Sequence, residues 1–130
     1  MASDASSDLN FDFGRAGRLG FPEIIYGESK SLDQLQRLTA QCRAANHPIL
    51  ISRCNADKAA GLSGGIFDAV AGTWIWQPAP PAPLPGRVCV ISAGTSDAPV
   101  VSECCNTLAY LGIQTLRIED AGVAAIHRLL

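Results

Sequence analysis

Apolar positions along the chain change period several times, and each change marks an element. Ile24, Ile25 and Tyr26 form a short apolar run stopped by Gly27, which reads as a strand. Ser31 and Gln34 make a capping-box pair, and Leu32, Leu35, Leu38 and Cys42 then recur at helical spacing. The pattern predicts a helix over residues 32–45, ended by Asn46 and Pro48. Ile49, Leu50 and Ile51 follow as an apolar run short enough for a buried strand. Asn55 or Asp57 can cap a shorter helix that stops at Gly61, Gly64 and Gly65. The stretch 67–77, with Val70, Trp74, Ile75 and Trp76, reads as one or two strands, so residues 21–77 are expected to form a small βαβαβ-like α/β domain. The residues before Phe21 lack a sustained apolar stripe. Residues 1–20 are therefore expected to be a flexible arm that only Leu9, Phe11 and Phe13 could dock.

Five of the eight prolines fall between Pro78 and Pro85. Such a run favours extended polyproline II and makes residues 78–86 a semi-rigid linker. An SH3-type ligand is the alternative reading, but no basic residues flank the run. Beyond it the pattern changes character. Val88, Cys89, Val90 and Ile91 form a continuous apolar run, as in a parallel strand covered on both faces. Val100, Val101, Cys104, Cys105, Leu108 and Leu111 then recur with helical period up to Gly112, a C-terminal cap. A further strand is expected over residues 114–118. Residues 87–130 thus read as the opening βαβ part of a flavodoxin- or Rossmann-like three-layer parallel-sheet domain. Two strands and one helix are an incomplete sheet, so the expectation is a shortened sequence or a module completed by other chains, with marginal stability.

Composition narrows the function classes. With 48% hydrophobic and 17% charged residues in 130, the chain is expected to be largely globular. Ten basic residues against twelve acidic ones, scattered along the chain, lack the dense cationic face of a nucleic-acid binder. Met1 to Asn10 carries neither a basic nor an apolar signal region, and no apolar run is long enough to span a bilayer. The expected location is the cytoplasm, away from membranes. Cys42, Cys54, Cys89, Cys104 and Cys105 show neither disulfide-scaffold nor zinc spacing and read as reduced thiols, mostly small core hydrophobes.

Candidate chemistry gathers at two places. Gly94, Thr95, Ser96 and Asp97 lie between the apolar strand and the helix that follows, where backbone N–H groups and the helix dipole suit an anion. Thr95 and Ser96 add hydroxyl donors for phosphate oxygens. Asp97 suits a ribose hydroxyl or the orientation of a proton-transfer partner. The same hydroxyls read equally as a helix cap, and neither a GxGxxG nor a Walker pattern is present. His127 and Arg128 follow the second strand, with Asp120 and Gly122 in the connecting loop. In an open α/β sheet the carboxyl ends of neighbouring strands share one crevice, which would bring the two places together. There Arg128 could pair with a phosphate and His127 transfer a proton, although a surface His-Arg pair fits the spacing as well. His47, beside Pro48, is assigned no role.

Gly20-Phe21-Pro22-Glu23-Ile24-Ile25-Tyr26-Gly27-Glu28-Ser29-Lys30, Gly94-Thr95-Ser96-Asp97-Ala98-Pro99-Val100 and Gly122-Val123-Ala124-Ala125-Ile126-His127-Arg128-Leu129-Leu130, in that order, resemble the LarB family of nickel-pincer nucleotide cofactor biosynthesis. Its catalytic domain is similar to PurE, the phosphoribosylaminoimidazole (AIR) carboxylase, with a Ser-Asp pair after the first strand and a His-Arg pair after the second. The resemblance implies a carboxylase and hydrolase acting on nicotinic acid adenine dinucleotide and carbon dioxide. Its products are pyridinium-3,5-biscarboxylic acid mononucleotide and AMP. Carried over by position, Gly94, Thr95, Ser96, Asp97 and Arg128 would bind substrate, with His127 and Asp97 as catalytic residues. No tightly bound cofactor or protein metal site is implied, and magnesium would come with the substrate. A full-length relative is expected to be a homo-oligomer. The family's nucleophilic cysteine lies C-terminal to the His-Arg segment, beyond residue 130, and none of the five cysteines matches it. The alternatives are a noncatalytic nucleotide-binding module and an inactive fragment of an AIR carboxylase-like protein whose open sheet edge invites association.

Overall fold

A computed structural model describes residues 9–122. The elements in chain order are α1 (Arg15–Leu19), β1 (Ile25–Tyr26), α2 (Leu32–Ala44), β2 (Ile49–Ser52), α3 (Ala56–Ala60), β3 (Ile66–Asp68), β4 (Thr73–Trp76), β5 (Arg87–Ile91), α4 (Ala98–Tyr110) and β6 (Gln114–Ile118). They build two sheets. The first has four strands in the order β1-β2-β4-β3, and the second is the parallel pair β5-β6. The α/β class read from the sequence is the class observed.

Local chemistry explains most boundaries. Ser31 Oγ accepts the Gln34 N–H at 3.2 Å while Gln34 Oε1 accepts the Ser31 N–H at 2.9 Å, closing the capping box that starts α2. Asn55, not Asp57, caps α3 by accepting the Lys58 N–H at 2.8 Å. The end of α4 is a Schellman turn: Ile113 N–H donates to Leu108 O at 2.9 Å and Gly112 N–H to Ala109 O at 3.0 Å. Gly112 sits at φ 84°, and a Cβ there would lie 2.2 Å from Ala82 O, so this position takes glycine on two counts.

The first sheet is not the βαβαβ unit expected. β1 and β2 are parallel, but β3 and β4 form a hairpin, and β4 rather than β3 lies beside β2, antiparallel to it. Asp68 drives the reversal. Its Oδ1 accepts the N–H groups of Val70 and Ala71, and its backbone oxygen accepts that of Gly72. Strand alternation then divides the sheet into two faces. Ile25, Ile49, Ile51 and Trp74 pack with Leu35, Leu38 and Cys42 of α2 in one core. Leu50, also fully buried, points to the other face, where α4 lies against β2 and β4.

The expected arm is tied down from Leu9 onward. Phe11 is 4% exposed and belongs to the core, its N–H donates to Gln41 Oε1 at 2.9 Å, and Gln41 returns a bond to Leu9 O. Asp12 pairs with Arg15 and Arg18 of α1. His47, left without a role by its sequence, packs at 5.2 and 5.3 Å from the Phe11 and Phe13 rings.

Two further expectations are corrected. The β5 run is not covered on both faces among the described residues, since Val88 and Ile91 of β5 and Leu116 of β6 are all exposed. The apolar stripe of α4 is not one buried seam either. Val101, Ser102 and Tyr110 are buried, whereas Val100 and Cys104 are exposed, as is Cys89 of β5. The cause is that α4 is gripped from two sides. It packs on its own strands β5 and β6 and also against β2 and β4, leaving Val100 and Cys104 outside both contacts.

Candidate functional site

β5 and β6 run parallel through five paired positions, from Arg87↔Gln114 to Ile91↔Ile118, so their carboxyl ends lie side by side. Both outgoing loops are stitched together there. Ser92 N–H donates to Ile118 O at 2.9 Å, and Ala121 N–H returns to Ser92 O at 3.0 Å. Gly122 comes so close to Ala93 that a Cβ on it would meet Ala93 O at 3.3 Å. The two loops thus meet as far as Gly122. His127 and Arg128 lie outside the described residues.

Thr95–Asp97 form a single 3-10 turn leading directly into α4. Asp97 Oδ2 accepts the N–H groups of Ala93 at 3.3 Å and Gly94 at 3.2 Å, folding the loop back on itself. This engages a backbone donor that an anion would otherwise meet, so Gly94 shapes the loop rather than offering its N–H. Neither Thr95 nor Ser96 caps α4, whose N-cap position is Asp97 without a side-chain bond. Both are exposed, with Pro99 in the first helical turn behind them.

A second feature adjoins this loop that the sequence did not reveal. The carboxyl ends of β1 and β2 open toward the first turns of α4, and the space between is a cleft of about 280 Å³. Glu28, Arg53, Val70, Pro99, Val100 and Glu103 are among its walls. Arg53 Nε lies 3.2 Å from Glu103 Oε2 across the cleft, and Arg53 holds a left-handed backbone at φ 49°. Tyr26 donates its hydroxyl to Glu28, and that carboxylate pushes the Tyr26 phenol above its ordinary range. No local pattern could have found this site, because its residues come from four separate segments joined only by folding.

The thiols divide by depth. Burial pushes Cys42 up to about 12 and raises Cys54 as well. Among the described residues no group of three or more His, Cys, Asp and Glu side chains is placed to hold a metal ion. No helix among them is long and apolar enough to cross a membrane.

Fold and loops together define an α/β protein whose outgoing loops meet at the carboxyl edge of a parallel strand pair. A family model described as the LarB/PurE-like N-terminal domain matches residues 4–71, just over half of the chain. The chain belongs to that carboxylase-like family. An uncharacterized protein of Methanocaldococcus jannaschii is 30% identical over 131 residues, covering 93% of this chain and 51% of the relative. The chain thus spans about half the length of the curated relative it matches.

Proposed function

We propose that the chain belongs to a LarB-like carboxylase and hydrolase that converts nicotinic acid adenine dinucleotide and carbon dioxide to pyridinium-3,5-biscarboxylic acid mononucleotide and AMP, and that it supplies the phosphate-side half of the site. The observation carrying this reading is the pairing of the 92–97 and 118–122 loops at the carboxyl edge of β5 and β6. Thr95 and Ser96 stand exposed there, at the edge where open α/β sheets take nucleotides. In this scheme Thr95 and Ser96 donate to phosphate or ribose oxygens. Asp97 holds the loop, and its carboxylate lies near the ribose. Arg128 pairs with phosphate, and His127 serves the reacting ring or the carboxyl donor. Any magnesium is carried by the substrate phosphates. The covalent step, which needs a thiolate to add to the pyridinium ring and make a neighbouring carbon electron-rich, is assigned to none of the five cysteines here.

Thermal unfolding with and without the dinucleotide tests the reading. A ligand bound only by the folded state at a hundred times its Kd adds about 2.7 kcal/mol, which raises the midpoint by about 10 °C. An unchanged midpoint at millimolar dinucleotide would overturn the proposal. A raised midpoint without release of AMP on adding bicarbonate would give this chain nucleotide binding without the chemistry.

A further inference from the structure

We propose that the cleft between the ends of β1 and β2 and the first turns of α4 receives the adenosine end of the dinucleotide. This rests on the reading above and deepens it by assigning the two ends of the substrate to different parts of the chain. Size makes the first argument. At about 280 Å³ the cleft lies at the small end of ligand pockets, suited to one base and its sugar rather than to a whole dinucleotide.

The lining makes the second. Val70 and Val100 are 55% and 65% exposed, yet both face this one space, from the β3–β4 turn and from α4. Two aliphatic walls with a few convergent polar groups between them suit a flat heterocycle. The polar groups then choose which one. Glu28 and Glu103 bring carboxylate acceptors, which match the exocyclic amine of adenine and repel the carboxylate of a nicotinate ring. Arg53, the cation in the wall, has a side chain 58% exposed and aimed across the cleft by its bond to Glu103. That leaves guanidinium donors for a phosphate.

Position makes the third. Pro99 and Val100 of the wall follow Ser96 and Asp97 within the same first turns, so a base in the cleft places its phosphates toward the Thr95–Asp97 loop. The domain that precedes the proline run would thereby read the adenosine end, and the β5-β6 edge would hold the phosphoanhydride.

Titration calorimetry of the full chain with AMP, nicotinic acid mononucleotide and the dinucleotide tests this. Val70→Trp fills the cleft from an exposed turn. Arg53→Gly removes the cation while suiting the left-handed backbone, and it keeps the test open if the bulkier variant fails to fold. Both variants are expected to weaken AMP and the dinucleotide by about tenfold or more and to leave nicotinic acid mononucleotide within about twofold. If the dinucleotide and mononucleotide bind but AMP does not, or if both variants bind AMP as the parent does, the cleft assignment is overturned and the wider reading stands. If no nucleotide binds the parent chain, the wider reading falls and takes the cleft with it.

Discussion

Asn106, midway along α4, donates its side-chain amide to Asp68 Oδ2 at 3.0 Å, tying the helix after the proline run to the hairpin before it. The same amide reaches Thr73 Oγ1 at 2.9 Å, and Thr73 is 1% exposed. One side chain therefore satisfies two groups at a junction that would otherwise strand them.

Replacing Asn106 with Ala is expected to cost about 1–3 kcal/mol, because a buried hydroxyl and a carboxylate lose their partner together. The effect should depend on pH. The Asn106 amide, followed by the Ala71 N–H, holds the Asp68 carboxyl below its ordinary value of 3.8. A depressed carboxyl contributes stability above its unfolded value and loses it as pH falls through the folded one. Urea unfolding at pH 7 and pH 3 should thus show parent and variant drawing closer in acid. An equal gap at both pH values would mean that Asp68 is not linked to Asn106.

Gly112 is held on two counts, its φ of 84° and the 2.2 Å approach that a Cβ would make to Ala82 O. A left-handed L-residue alone costs about 1–2 kcal/mol, and the clash with backbone adds to it. Gly112→Ala should therefore lose about 2 kcal/mol or more in a denaturant titration. Gly17→Ala meets nothing within 4 Å and serves as the near-neutral control. Equal midpoints for the two variants would show that the proline run is not seated on the end of α4.

Gly112 also marks the boundary of what the sequence makes legible. Cap residues act over three or four positions, so Ser31 with Gln34, Asn55 and Gly112 are readable from local order and are found doing what their types predict. Long-range packing is not local. Nothing in the spacing of Cys104 says that α4 is gripped from two sides, since a helical stripe encodes one buried face and not two. The Asp68 reversal likewise looks like an ordinary turn residue until its three bonds are seen to set β4 beside β2. At the site, the Gly94–Asp97 loop announces itself by falling between a strand and a helix. The adjoining cleft, assembled from Glu28, Arg53, Val70 and Glu103, has no sequence signature at all.

Depth sorts the five thiols into an order that alkylation can read. Cys89 and Cys104 are exposed and Cys105 is half-buried, whereas Cys42 and Cys54 are buried with their thiols pushed up by burial. A thiolate-seeking reagent at neutral pH should label Cys89 and Cys104 first. Cys42 should react only on unfolding. Mass mapping of a time course would reveal the order, and early labelling of Cys42 would contradict the packing of α2 against the first sheet.

Asp97 allows a sharper separation of roles, because its Oδ2 already accepts two backbone N–H groups of its own loop. If its part is to hold the loop, an amide oxygen at the same place can still accept, and Asp97→Asn should bind the dinucleotide within about threefold of the parent. Asp97→Ala removes the acceptor, frees the Ala93 and Gly94 donors and should weaken binding by about tenfold. If the carboxylate charge itself meets the ribose or a proton-transfer partner, the two variants should instead fall together. Calorimetric titration of both therefore decides between a residue that shapes the 93–97 loop and one that touches the proposed substrate, and the bonds to Ala93 and Gly94 favour the first.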